Sequence, residues 1–194
     1  MEANQTEART HAGSSGSIFS FLPAHGDSRA GAVAEFVSRT LTEGFGLVVL
    51  LADFEGDRYS PWRLDGHVGN LLNYAREKYS IICIDLTGAK EAEALEALRA
   101  SDAIFLVSGS DAASIHSVQE KAAWLQSAEL SDQCGLLLWR APNSVDPTEV
   151  EDLTGLPVCS LVDNDEQVRQ LASWLASQTT SEVPSQESKY AMAG

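Results

Sequence analysis

The chain has 194 residues, of which 44% are hydrophobic and 21% charged; that balance suits one globular domain with a sizeable core and excludes disorder of the whole. Thirteen Lys and Arg stand against 28 Asp and Glu, a formal charge of −15, which repels phosphate backbones and anionic lipid and argues against nucleic acid as a partner. No run approaches about 18 consecutive apolar residues, and no basic segment followed by an apolar block opens the chain, so neither a transmembrane helix nor a signal peptide is expected and the chain reads as cytoplasmic.

Residues 1–16 and 177–194 are polar, small and almost without aliphatic side chains. They cannot bury enough surface to offset their ordering entropy and are expected to be flexible tails around a domain at 17–176. Within that domain, short continuous apolar runs fall at Ser17 to Leu22, Leu47 to Asp53, Ser80 to Leu86, Ala103 to Ser108, Gly135 to Trp139 and Val158 to Leu161. Continuous rather than alternating runs suit strands buried on both faces. Between them, one helical face each is expected for Val33, Phe36, Val37, Thr40 and Leu41, for Leu95 and Leu98, for Val118, Ala122 and Leu125, and for Val168, Leu171, Trp174 and Leu175. Asp146-Pro147-Thr148-Glu149 and the Asp163/Glu166 pair read as helix starts. Regular alternation of this kind gives a doubly wound, mostly parallel α/β sheet with helices on both faces and right-handed crossovers. Ligands of such sheets bind beyond the carboxyl ends of the strands.

Cys83, Cys134 and Cys159 lie in apolar runs with no CxxC or His/Cys spacing, and read as reduced core cysteines. His11 falls in the tail, His67 and His116 near expected helix starts, and His25 in the first loop, where solvated or capping roles are expected.

That loop, "PAHGDSRAG" after the first strand, has the outline of a phosphate-binding turn. Such a turn needs consecutive backbone N–H groups at a helix N-terminus, a Lys for the β and γ phosphates and a hydroxyl for Mg2+. Gly26 is expected to take a left-handed conformation that lets the backbone approach an anion. Arg29 keeps a positive charge in place of the Lys, with a planar fork rather than a compact ammonium, and Ala30 offers no hydroxyl. Gly26, Asp27, Ser28, Arg29, Ala30 and Gly31 are the candidate phosphate-binding residues.

With these motifs in order, the chain resembles the ParA/MinD group of deviant P-loop ATPases, which includes the bacterial tyrosine kinases of capsule and exopolysaccharide export. Members look like "KGGxGKT" or "SxxPGEGKS", then "VLLIDxD", "YDxIIIDxPP", "aDxvllV", "GvVlN" and "lglPVlg"; here stand "PAHGDSRAG", "VLLADFE", "YSIICIDLTG", "SDAIFLV", "CGLLLW" and "TGLPVCSLV". The resemblance spans about Ser17 to Ala176. It implies that Asp53 orders the attacking water and metal, that Glu55 is the second acid of that motif, that Asp85 reaches Mg2+ and that Asp27 stands for a Glu of the kinase branch. If the chain is active, Asp53 and Asp85 are its catalytic and Mg2+-binding pair, and ATP or ADP with Mg2+ its cofactor. As strand-end carboxylates, both also suit a turn-capping role. Four departures stand against activity: Ala24 for the signature Lys, Ser28 for a glycine, Arg29-Ala30 for Lys-Ser, and Trp139 for the Asn that reads adenine. Tyr190 matches, as a single residue, the tyrosine cluster that the kinase branch phosphorylates.

Three readings follow. One is a degenerate member, a pseudoenzyme acting as a regulatory or assembly partner with weak or no nucleotide binding. Another is an active ATPase or tyrosine kinase of polysaccharide export with an unusual loop. The last is an unrelated Rossmann-like anion-binding domain. The resemblance implies an envelope membrane protein or a sister ATPase as partner, and a homodimer among the assemblies, although the family's dimer uses the Lys that Ala24 replaces. The C-terminal segment has neither a basic nor a bulky apolar helical face, so direct membrane insertion is not expected.

Overall fold

A computed structural model describes residues 15–26, 29–54, 68–140 and 143–179. Six strands, β1 (Ser17–Pro23), β2 (Val49–Asp53), β3 (Ile81–Asp85), β4 (Ala103–Gly109), β5 (Cys134–Trp139) and β6 (Val158–Leu161), form one parallel sheet in the order β2-β3-β1-β4-β5-β6. All six expected strands are present, and the described pairings are parallel without exception. The helices are α1 (Ala30–Phe45), α2 (Val68–Arg76), α3 (Glu91–Ala100), α4 (Ala112–Ser127), α5 (Pro147–Thr154) and α6 (Asp165–Thr179).

Successive residues of β1 divide the core in two. Ile18, Leu22 and Ala24 point to the face covered by α2, α3, α4 and α5; Phe19 and Phe21 point to the face covered by α1 and α6. This follows from the strand order and the handedness of parallel crossovers. The step from β1 to β2 runs in the opposite direction across the sheet from all the later steps, so α1 alone of the crossover helices lies on its face. α6 returns to cover the rest of that face.

Helix ends are set by local chemistry. Asp146 accepts from the Thr148 N–H at 2.9 Å with Pro147 in the first turn, as its spacing predicts. The start of α6 lies one residue later than the Asp163/Glu166 pair suggests. There Asn164 Oδ1 accepts from Gln167 N at 3.0 Å, because Asp163 is already engaged by the Arg140 backbone N–H and lies 3.6 Å from its guanidinium. Gly46 and Gly155 end α1 and α5 in the left-handed conformation that a side chain would strain.

Other expectations shift as well. Trp174 does not join the buried face of α6; it is 47% exposed and meets Phe105 edge-on at 6.3 Å. Leu95, Phe36 and Thr40 are half-buried, and Ala94, Ala97, Ala34 and Ser38 take the central positions. Small residues let these helices sit close to the sheet. Cys83 and Cys134 are buried thiols, both pushed up to about 12 by desolvation. Cys159 is exposed, on the edge strand β6, and is not a core residue. Gly16, assigned by composition to the tail, donates its N–H to Arg76 O at 2.9 Å and accepts from Arg76 Nη1 at 2.8 Å. α6 runs three residues past 176.

Candidate functional site

β1 sends its chain to α1 on one face, while its neighbours β3 and β4 send theirs to α3 and α4 on the other. The carboxyl end of β1 is therefore the switch point of the sheet, where loops part and a crevice opens. The expected loop lies there, and so do the ends of β2, β3, β4 and β5.

α1 begins at Ala30, with Arg29 at its N-cap (φ −85°, ψ 22°) and no side-chain cap. Ala30 is fully buried, so a helix start without a hydroxyl is built into the core. Gly31 faces the end of β3, where a Cβ added to it would stand 2.5 Å from Asp85 Oδ2. Only glycine lets the carboxylate lie against the first turn of α1. Asp85 is 8% exposed, and its Oδ1 accepts from Thr87 N at 2.9 Å and Thr87 Oγ1 at 2.7 Å. This is an Asx turn that starts the connection to α3. The turn-capping role thus accounts for half of the Asp85 carboxylate. Asp53 lies opposite Asp85 in the β2–β3 register, and is exposed at the sheet's edge strand.

Gly26 departs from expectation. It has no left-handed φ, and a Cβ there would meet nothing within 4 Å, so the freedom of glycine is not used at that position. Asp27, Ser28, Glu55 and Tyr190 lie outside the described residues, as do His11 and His67.

Sequence reasoning left Arg29, His25 and Trp139 as separate signals, but the structure gathers them. The Arg29 guanidinium carbon lies 5.4 Å from the centroid of the Trp139 ring. The His25 ring stands edge-on to the same indole at 6.3 Å. Trp139 ends β5 and is 8% exposed, so it is a buried aromatic that holds a cation rather than an open stacking platform. His25 Nε2 lies 3.3 Å from Ser114 Oγ, which in turn is 2.6 Å from Asp111 Oδ2. Because the serine hydroxyl donates to the carboxylate, it accepts from the histidine. The order carboxylate–serine–histidine is wrong for activating a serine nucleophile, which must donate to the imidazole.

Asp111 is the N-cap of α4, accepting from Ala113 N at 3.1 Å and Ser114 N at 3.0 Å. Its hydrogen bond from the Ser114 hydroxyl, followed by that from the Ser114 N–H, holds its carboxyl below the usual carboxylate value of 3.8. Gly109 leaves room for this cluster, since a Cβ there would stand 3.0 Å from Asp111 Oδ2 and from Ser114 Oγ and 3.3 Å from Trp139 Nε1. Sequence reasoning missed Thr87, Asp111 and Ser114. The Asp85-Leu86-Thr87 and Asp111-Ala112-Ala113-Ser114 spacings carried the signal, one as an Asx turn and the other as an N-cap.

Mg2+ takes a near-octahedral shell of oxygens, commonly one or two carboxylates with phosphates and waters. Among the described residues Asp85 has one oxygen in the Thr87 turn and the other against Gly31, and α1 begins with Ala30, which offers no hydroxyl. Among the described residues no group of three or more His, Cys, Asp and Glu side chains is placed to hold a metal, and no helix is long and apolar enough to cross a membrane.

A parallel sheet with its first loop opening α1 at the switch point, and an acidic residue at the end of the adjacent β3, defines a P-loop NTPase-like α/β domain. Comparison with solved structures narrows the class, and the fold is that of the ParA/MinD-type P-loop ATPases. A ParA family ATPase from Chlorobium tepidum TLS superposes with a TM-score of 0.63 at 15% identity over 88% of this chain and 93% of its own. The MinD–MinC cell division complex of Aquifex aeolicus gives 0.63 at 10% identity over 83% and 96%. The septum site-determining protein MinD of Pyrococcus horikoshii OT3, complexed with Mg-ADP, gives 0.61 at 16% identity over 87% and 90%. At such identities the likeness is one of fold. No protein-family model and no curated protein matches the sequence.

Proposed function

We propose that this chain is a degenerate P-loop-fold protein that works as a regulatory or assembly component through a protein partner, with weak or no nucleotide binding and little ATP hydrolysis. The observation that supports it most is the start of α1: Ala30 is buried where a metal-binding hydroxyl is needed, while Arg29, the one Lys or Arg in the sequence of that loop, lies over Trp139. Phosphoryl transfer depends on positioning and on charge neutralisation at the phosphates. Neither is supplied by a carboxylate in a turn and a guanidinium on an indole. A structural neighbour holds Mg-ADP and another is a complex with MinC; for this chain we take up the partner half of that pair. An envelope membrane protein or a sister ATPase fits the resemblance to the export branch, and a second copy of the chain is the simplest alternative partner.

Calorimetric titration of ADP and ATP, with and without Mg2+ and with Arg29→Ala as control, tests this reading. Helix-terminus donors contribute about 1 to 2 kcal/mol, far short of the roughly 8 kcal/mol of micromolar affinity, so binding should be weak, salt-dependent and indifferent to Mg2+. Tight Mg2+-dependent binding, or ATP turnover abolished by Asp85→Asn, would overturn the proposal in favour of an active ATPase or kinase with an unusual loop.

A further inference from the structure

The two faces at the end of β1 differ. On the α1 face, Arg29 and Trp139 pack together, and His25, edge-on to Trp139, lies between the two faces; on the other face, α3 and α4 flank β1 with no helix of its own between them. A cleft of about 640 Å³ remains there. It arises from the same topology that parts the loops, and ligand sites favour such crevices. Its floor is apolar, from Leu22 of β1, Ala24 just beyond it, Leu86, and Ala94 of α3. Its walls are not.

Glu91 opens α3, and its Oε1 accepts from Trp124 Nε1 of α4 at 3.2 Å. Glu120 lines the cleft from α4; its Oε1 lies 3.8 Å from His116 Nε2, and its side chain is 72% exposed. Of the described residues that line the cleft, His25 and Lys121 are the basic ones; His25 stands against Trp139 and Ser114, and Lys121 has its ammonium 5.2 Å from the centroid of the Trp124 ring. Among the described residues it forms no ion pair with either carboxylate. An apolar trough with a carboxylate from each flanking helix, and its own lysine held on an indole, matches a long aliphatic stem that ends in a cation.

We propose that this cleft receives a lysine or arginine side chain presented by a basic segment of a protein partner. The stem lies on Leu86 and Ala94, and the cation sits between Glu91 and Glu120. The charge of −15 on the whole chain steers such a segment toward it and disfavours acidic competitors. The inference names the partner chemistry for the function proposed above and rests on that reading.

The test uses the full chain, labelled with 15N, and three probes: acetyl-Gly-Leu-Arg-Leu-Lys-Gly-amide, the same peptide with both basic residues replaced by glutamate, and spermidine. The four tryptophans give up to four indole N–H signals, and Trp124→Phe identifies the one in the cleft. The basic peptide should shift the Trp124 signal in a saturable, salt-sensitive way, and the acidic peptide should not. Glu91→Gln and Glu120→Gln should each weaken binding about two- to fivefold, the range of exposed ion pairs, and together by more than either alone. Glu120→Gln alters an exposed side chain and leaves folding intact. The proposal fails if Trp124 stays unmoved at millimolar basic peptide, if the acidic peptide binds equally, or if the double variant binds as wild type. Spermidine binding as tightly as the peptide would overturn it in favour of a small polycation. Mg2+-dependent ATP turnover with peptide binding intact would sink the functional reading alone, whereas loss of peptide binding without turnover sinks only the cleft.

Discussion

The two ends of β1 are held by different kinds of force. At the amino end the contacts are backbone hydrogen bonds and a carboxylate clamp: Ser17 N donates to Ser80 O at 3.1 Å, Ile18 N to Asp102 Oδ2 at 2.7 Å, and Asp102 N to Ile18 O at 2.8 Å. Arg76 adds bonds to Gly16 O at 2.8 Å and Ala100 O at 2.7 Å, and an ion pair to Asp102 at 3.0 Å. At the carboxyl end Leu86 N donates to Phe21 O at 3.0 Å and Ala24 N to Val107 O at 3.1 Å, but no carboxylate clamps the strand's backbone among the described contacts, and side chains rest on side chains, Arg29 and His25 on Trp139, and Ser114 with His25. At the amino end a side chain is tied into the strand's backbone; at the carboxyl end the side chains meet one another and the backbone keeps its own bonds.

If that division is right, the largest effect on stability comes from the amino end. Asp102→Ala leaves the buried N–H of Ile18 without an acceptor and Arg76 without its carboxylate. The cost of an unsatisfied buried donor, about 1 to 3 kcal/mol, should appear in full in urea unfolding at pH 7. Asp102→Asn should recover much of it, because the amide oxygen still accepts. A loss below a few tenths of a kcal/mol for the alanine variant would mean that the clamp is decorative and the two ends are alike.

Gly31 tests the carboxyl end. In Gly31→Ala the new methyl meets Asp85 Oδ2 at 2.5 Å, and either the carboxylate leaves its turn with Thr87 or α1 shifts. Overpacking of this kind costs about 1 to 3 kcal/mol, and a flexible carboxylate should keep it near the lower end. In an Asp85→Ala background the same substitution should cost less, a coupling of about 0.5 kcal/mol or more in a double-mutant cycle. Simple additivity of the two changes would show that Asp85 does not rest on α1.

The contrast also explains what was legible in the sequence. The strands showed through because runs such as Ile81 to Asp85 are buried on both faces, so burial alone fixes their composition. Helix faces were readable where large residues fill them, as at Val118 and Leu125, and misread where Ala94 or Ala34 makes the close contact and Trp174 lies outside. The site was legible only in parts. Asp53 and Asp85 came to neighbouring strand ends because the sheet is parallel, and Arg29 and Trp139 carried separate signals. That Arg29 folds over Trp139 depends on β5 lying two strands from β1, a long-range pairing that no local pattern encodes. Gly26 misled because a glycine in a loop suggests a left-handed turn, whereas of the two glycines at this site it is Gly31, inside the helix, whose missing side chain matters.

The smallest stability effect belongs to Asp111, which connects the two kinds of holding: it caps α4 through the backbone and receives the hydroxyl of Ser114, which faces His25. Asp111→Ala should cost about 1 kcal/mol, as lost N-caps do, while Asp111→Asn should keep the cap and lose only the charge. The folded-state value of Asp111 lies below its ordinary 3.8, so its ionised form favours the folded protein. That stabilisation is complete above the unfolded value and fades as pH falls through the lower folded one. The gap between wild type and Asp111→Asn should therefore narrow on acidification below pH 3.8, and also in high salt, since the carboxylate is partly exposed and screened. In Asp111→Ala the Ser114 hydroxyl loses its acceptor and becomes free to donate to His25 Nε2, which reverses the polarity of that bond. A change in the His25 ring resonances in Asp111→Ala, absent in Asp111→Asn, would show that the helix cap sets the hydrogen-bonding state of the loop. Identical His25 signals in all three proteins would separate the cap from the site and confine the coupling to α4.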